Sequence, residues 1–80
     1  MYGGQAGRVI LLLQADVGAA EAVAAAVSAI PGVVGTAVTS GPYDVIGHVR
    51  QRAGEDPRAV LDAVRQVGGL SRLCVCRPVR

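Results

Sequence analysis

Hydrophobic residues recur along the chain with two spacings, one typical of helices and the other of strands. Apolar residues follow one another at successive intervals of four and three in two stretches: Val23, Val27 and Ile30, and then Val60, Val64 and Val67. This spacing predicts two amphipathic helices, each with one apolar stripe that a single sheet face can cover. Shorter apolar runs before and after each stretch predict strands.

The two halves of the chain share one pattern of apolar positions. Residues 26–38 align with residues 63–75, from the end of each predicted helix into the strand that follows it. Each half therefore predicts strand, helix, strand. The segment Ser40-Gly41-Pro42 joins the halves, and the expected element order is βαββαβ.

Several residues mark where the two helices begin and end. The first helix should stop just before Pro31, because a proline pushes the preceding residue out of the helical conformation. For the second helix, Asp56 is the expected N-cap and Pro57 the first helical residue. Gly68 is expected at its exit.

The first predicted strand, residues 8–14, is apolar at odd and even positions alike, so both of its faces need cover. Two βαβ halves, joined so that neighbouring strands run antiparallel, predict an α+β, ferredoxin-like fold. Its four-stranded antiparallel sheet has the order 4-1-3-2. Both helices cover one face of such a sheet. We expect the other face to pack against the same face of a second copy.

Composition supports an oligomer and argues against several classes of protein. The chain has 80 residues, of which 51% are hydrophobic, and it contains no Phe or Trp. This is more apolar surface than one small domain can bury. The net charge is +2, and the eight basic residues are scattered arginines. We therefore expect no direct binding to nucleic acid. The apolar run at 9–13 is too short for a signal peptide or a membrane span, which predicts a cytoplasmic protein without membrane contact.

Cys74 and Cys76 lie two residues apart in a predicted strand, on the same face. Their Cα atoms should be about 6.5 to 7 Å apart, which is unfavourable for a disulfide. The single histidine and the dispersed carboxylates offer few further ligands. We therefore predict buried free thiols and no metal site.

Residues 30–49, with Pro-Gly-Val after a helix and Gly-Pro-Tyr-Asp before a strand, resemble the heart of the effector-binding (RAM) domain of the Lrp/AsnC, or feast/famine, transcriptional regulators. The resemblance extends from Val9 to about Val79, with the elements in the same order. It implies a ferredoxin-like domain that dimerises through its sheets and assembles further into octamers or rings of dimers. It also implies that amino acids or related metabolites bind between dimers, near the turn that carries the motif.

In full-length members of that family a DNA-binding helix-turn-helix domain precedes this one. Only seven residues precede the first predicted strand here, so we expect residues 1–80 to be a single stand-alone effector-binding domain without a DNA-binding domain or a cofactor. Its expected partners are a small metabolite, further copies of itself and a full-length Lrp/AsnC regulator.

The resemblance places the ligand site at a subunit boundary. Gly41 would permit an unusual backbone angle and close approach of a ligand, while Pro42 stiffens the turn. Asp44 would accept from an α-ammonium group. The predicted ligand-binding residues are Gly41, Tyr43, Asp44, Ser71 and Leu73. The alternative is a tight hairpin in which Asp44 only bonds the amides of its own turn.

One departure from the family pattern concerns the last strand. Family members often carry Thr-x-Thr there, whereas this chain has Leu73 and Val75. The lost hydroxyls favour a more apolar ligand, or none.

Two other functions remain open. A small dimeric ferredoxin-like enzyme would use His48 with Asp44 or Tyr43 as an acid–base pair, but no aromatic pocket or activated nucleophile supports it, and we predict no catalytic residue. A pure interaction module would co-assemble with a full-length regulator. His48 itself is either a ligand or interface residue or a half-buried neutral side chain, and Arg50 is interpreted as the solvated end of a strand.

Overall fold

A computed structural model of the chain describes residues 7–51 and 56–77. The element order confirms the predicted βαββαβ pattern. In chain order the elements are β1 (Gly7–Ala15), α1 (Ala20–Ser28), β2 (Val33–Val38), β3 (Val45–Gln51), α2 (Arg58–Arg65) and β4 (Leu70–Cys76).

The four strands form one antiparallel sheet of order β2-β3-β1-β4. This is the predicted 4-1-3-2 order counted from the other edge. The position of β1 between β3 and β4 is the central position predicted for the first strand of a split βαβ arrangement. The ferredoxin-like fold class is therefore confirmed.

Side chains of β1 alternate between the two faces of the sheet. Val9, Leu11 and Leu13 are at most 1% exposed and lie under the helices, whereas Ile10 and Leu12 are half-buried on the other face. The helices cover only the first of these faces. We call the second one the open face.

The core lies between the helices and the sheet, and the valines that predicted the helices fill it. Val23 and Val27 of α1 and Val64 of α2 are completely buried, while Ile30, Val60 and Val67 pack against them. The predicted apolar stripes are thus confirmed. Three residues of α1 are buried but only one of α2, so α1 is the better-anchored helix.

The start of α2 differs slightly from the prediction. The helix begins at Arg58, with Pro57 as the N-cap residue and Asp56 just outside. Asp56 still caps, because its Oδ1 accepts the backbone N–H of Arg58 at 3.0 Å and its Oδ2 accepts Nε at 2.8 Å. These hydrogen bonds from the Arg58 side chain and backbone hold the pKa of Asp56 below its ordinary value.

The predicted helix exits need two corrections. The first helix ends at Ser28, and Ile30 continues it only as a turn, its N–H bonded to Val27 O at 3.0 Å. At the second exit the left-handed residue is Gly69, with φ of 89°, and not Gly68 as expected. The helix ends at Arg65, three residues before Gly68, and the second glycine makes the reversal into β4.

Neither helix is long enough to cross a membrane: α1 has nine residues and α2 eight, and no described helix qualifies as a candidate span.

Candidate functional site

The Gly-Pro-Tyr-Asp motif forms an internally bonded turn between β2 and β3. Thr39 organises it: its hydroxyl donates to Tyr43 O at 2.8 Å and accepts the N–H of Gly41 at 3.1 Å. The backbone N–H of Thr39 also donates to Asp44 O at 2.7 Å. Thr39 is not among the predicted site residues, although a hydroxyl two residues before Gly-Pro is a recognised turn signal.

The expectation of an unusual backbone angle at Gly41 is wrong. The left-handed glycines of the described chain are Gly18, Gly32 and Gly69. A Cβ on Gly41 would touch only the Thr39 hydroxyl, at an ordinary 3.6 Å. The hydroxyl bonds of Thr39 shape this turn without a left-handed residue at Gly41.

The half-buried side chain of Asp44 joins two strands. Its Oδ2 accepts the backbone N–H of Ala15 at 3.2 Å, at the end of β1. The hairpin alternative placed this carboxylate on the amides of its own turn, so the observed partner is a different one. Within the described residues the second oxygen, Oδ1, accepts no hydrogen bond.

Ser71 approaches the same end of β1 from the opposite side. Its hydroxyl donates to Gln14 O at 2.9 Å, where a register shift interrupts the β1–β4 ladder. Asp44 and Ser71 thus bond to consecutive residues of β1. Since β1 lies between β3 and β4, their backbones are about 10 Å apart. The structure therefore brings these two predicted site residues to one end of the sheet.

The other two predicted residues lie differently. Tyr43 is half-buried within the turn, next to Asp44. Leu73 lies opposite Leu13 and packs against the core, and Val75 likewise lies opposite Leu11. Both therefore belong to the helix-covered face. The side chains of β4 that reach the open face are Arg72, Cys74 and Cys76.

Cys74 and Cys76 are both half-buried free thiols. They lie opposite Leu12 and Ile10. Partial burial raises the pKa of the Cys76 thiol, and the hydrogen bond and charge of Cys74 act in the same direction. A raised pKa keeps the thiol protonated and slow to react.

His48 lies on the open face, opposite Ile10 of β1 and Gly35 of β2. It is four residues along β3 from Asp44, or about 13 Å. The structure does not bring the two together as an acid–base pair. His48 instead lies beside Arg50, which faces Arg8 across the strands. A cavity of about 300 Å³ opens beside these side chains. It could not be predicted from the sequence, because only the strand register shows that Arg8 lies opposite Arg50.

No protein-family model matches the sequence, and no curated protein matches it. Several solved structures match it in three dimensions. TTHA0845 from Thermus thermophilus superposes with a TM-score of 0.77 at 19% identity, over 92% of this chain and 94% of that one. E. coli AsnC superposes with a TM-score of 0.76 at 14% identity, over 98% of this chain and 53% of AsnC.

A third similar structure is NapD of E. coli, a Tat proofreading chaperone protein. It has a TM-score of 0.76 and 20% identity, over 94% of this chain and 79% of NapD. At such identities the likeness extends to the fold alone. The chain therefore has the ferredoxin-like βαββαβ fold that an Lrp/AsnC regulator shares with other small proteins of the same architecture.

Proposed function

We propose that the protein is an amino-acid-binding and oligomerisation module of the Lrp/AsnC effector-domain type, without catalytic activity, which acts in transcriptional regulation through its partners. The observation that carries this proposal is the position of Asp44 and Ser71 on either side of the end of β1, each bonded to its backbone. The similarity to AsnC over 98% of this chain supports it.

The chemistry of this end of the sheet suits an α-ammonium group. Asp44 is oriented by Ala15 through one carboxylate oxygen, and the other oxygen can accept a charge-assisted hydrogen bond. Ser71 donates its hydroxyl proton to Gln14, so its oxygen lone pairs also accept. Such a bond to a charged group contributes about 1.5 to 3 kcal/mol.

The open face supports self-association. Its middle is an apolar band of half-buried side chains that the helices do not cover: Ile10, Leu12, Ile46, Cys74 and Cys76. A second copy offers the same band, and an isologous contact between identical faces needs no other partner. We propose a sheet-to-sheet dimer and assembly of such dimers into octamers or rings, with a full-length regulator as a further partner.

The likeness to NapD raises a second function, capture of a Tat signal peptide. The charges of the open face do not favour it. Arg8, Arg50 and Arg72 are exposed there, and they would repel the paired arginines that define such a peptide.

Calorimetry with a panel of amino acids tests the ligand site on the parent protein and on Asp44→Asn. Asparagine keeps the shape and can still accept from Ala15, but it removes the charge. We expect the parent to bind at least one apolar or aromatic amino acid and Asp44→Asn to bind it about tenfold or more weakly.

Asp62→Asn is the matched control, because Asp62 is exposed on α2 and bonded to Arg65. It should bind like the parent. Equal binding by Asp44→Asn and the parent would assign Asp44 a purely structural role, and a parent that binds no amino acid would contradict the proposal.

A further inference from the structure

We infer that the open face carries a second binding site, for the carboxylate or phosphate group of a small metabolite, between Arg8 and Arg50. The site is independent of the Asp44–Ser71 end of the sheet. Arg8 is the second residue of β1 and Ala15 is its last, so the two are about 23 Å apart along the strand.

Strand register brings the arginines together. Arg8 and Arg50 are direct partners in the β1–β3 ladder, and opposed residues of an antiparallel pair project from the same face. His48 lies two residues before Arg50 and shares that face. Three side chains that can donate hydrogen bonds to an anion therefore converge at one end of the open face.

A bulge in β2 provides the space for a ligand. The register of β2 against β3 shifts between Val33 and Gly35, which places Gly35 beside His48. Gly35 has no side chain, and a Cβ built there would meet no atom within 4 Å. The resulting cavity of about 300 Å³ is lined by Arg8, Val34, Gly35, His48, Val49 and Arg50.

The charges at this end are uncompensated within the described residues. Like charges directly opposite each other destabilise a strand pair. The ion pairs of residues 7–51 and 56–77 are Arg58 with Asp56 and Arg65 with Asp62, and neither includes Arg8 or Arg50. Arg50 also borders a second cavity that Asp56 lines, but Arg58 holds the carboxylate of Asp56 at 2.7 Å. A bound oxyanion between the two arginines would remove their repulsion.

The shape of the site selects the ligand class. A guanidinium presents N–H donors in a planar fork that matches a carboxylate or a phosphate, and two opposed forks can hold one oxyanion from both sides. A cavity of about 300 Å³ is at the small end of metabolite pockets, so a small molecule fits better than a polymer.

The test is calorimetric titration of the parent chain with inorganic phosphate and, separately, with malonate, in chloride buffer near physiological ionic strength. Chloride screens general attraction to a cationic protein but competes poorly with a bidentate contact. We expect at least one anion to bind with a Kd of about 1 mM or tighter. The anion that binds more tightly identifies phosphate or carboxylate as the natural group.

Arg8→Gln and Arg50→Gln should each weaken binding about tenfold or more, because each removes one fork. Arg72→Gln is the matched control. It makes the same charge change on the same face, but Arg72 lies near the other end, opposite Gln14. Its affinity should stay within about twofold of the parent.

Gly35→Val keeps both arginines and fills the cavity, so it should also weaken binding while circular dichroism remains that of the parent. Three results would overturn the inference: binding of neither anion, an Arg72→Gln loss as large as that of Arg50→Gln, or unchanged binding by a folded Gly35→Val variant. Since none of these substitutions touches Asp44 or Ser71, the outcome is separate from that of the amino-acid site.

Discussion

Asp44 has an observed role in the fold, beside the ligand-binding role that we propose for it. Its Oδ2 holds the end of β1 against the start of β3, and its other oxygen accepts no hydrogen bond from the residues that the structure describes. In the turn itself the Thr39 hydroxyl, and not the Asp44 carboxylate, accepts a backbone amide, the N–H of Gly41, and it also donates to Tyr43 O. Because neighbouring residues such as Thr39 and Asp44 make different hydrogen bonds in one turn, the role of a residue cannot be assigned from its own motif alone.

Gly68 and Gly69 form a matched pair for mutagenesis, because they are adjacent and differ in backbone conformation. Gly69→Ala should destabilise the domain by about 1 to 3 kcal/mol, because an L-residue is strained at a φ of 89°. Its Cβ would also lie 3.1 Å from Ala19 Cβ and 3.3 Å from Val23 Cγ2. Urea unfolding measures the effect.

Gly68→Ala is the control for that experiment. Gly68 has no left-handed φ, and a Cβ there meets nothing within 4 Å. Its substitution should leave stability unchanged or raise it by about 0.4 to 1 kcal/mol, through the lost freedom of the unfolded chain. Equal destabilisation by both substitutions would contradict this account of the reversal.

At the scale of elements, the two helices are anchored unequally. α1 buries Val23, Ala24 and Val27, whereas α2 buries only Val64 fully. Cooperative opening of a segment costs less free energy where fewer apolar side chains leave the core. The repeated sequence pattern thus produces two amphipathic helices that bury different numbers of side chains in the core.

Amide hydrogen exchange should therefore separate the two helices. We expect α2 amides to exchange through a lower-energy opening than those of α1, by about 1 kcal/mol or more. Exchange monitored by NMR at single residues gives this comparison within one sample. Equal or greater protection of α2 would show that it has support beyond the burial of Val64.

At the scale of the whole molecule, the open face combines two chemistries. The apolar band occupies its middle, with Ile10 and Leu12 of β1 beside Ile46 of β3. Arg8 and Arg50 lie beyond the band at one end, outside the region a second copy most needs to cover. Self-association and anion binding can therefore coexist on the same face.

Assembly can be tested by placing a charge in the band. Light scattering at micromolar concentration should find the parent as a dimer or a multiple of one. Leu12→Arg should be smaller, since an unpaired charge in an apolar interface costs several kcal/mol. Ala22→Arg, on the exposed side of α1, is the control and should retain the parental mass.

Alkylation of Cys74 and Cys76 gives a second measure of the same contact. Both thiols lie on the open face, so a dimer shields them and Leu12→Arg should speed their reaction. A monomeric parent, or equally fast alkylation of parent and Leu12→Arg, would contradict pairing through this face.

The order of the elements, the apolar stripes of the helices and the strand order could be predicted from the sequence. The elements and stripes follow from local periodicity, and the strand order follows from the way in which two βαβ halves join in a ferredoxin-like fold. The resemblance in motif also identified Asp44 and Ser71 as candidate ligand-binding residues. Hydrogen bonding within a helix and side-chain alternation along a strand are short-range properties, and so they can be inferred from neighbouring residues.

Tertiary structure alone decided the contacts between residues distant in the chain. Only strand register places Arg8 opposite Arg50, and only the β2 bulge opens the cavity beside them. Side-chain alternation along β4 directs Leu73 into the core, although Leu73 aligns in sequence with ligand-binding hydroxyls of the family that this chain resembles. A one-residue change in register reverses the face of every side chain, and register depends on the packing of the whole sheet.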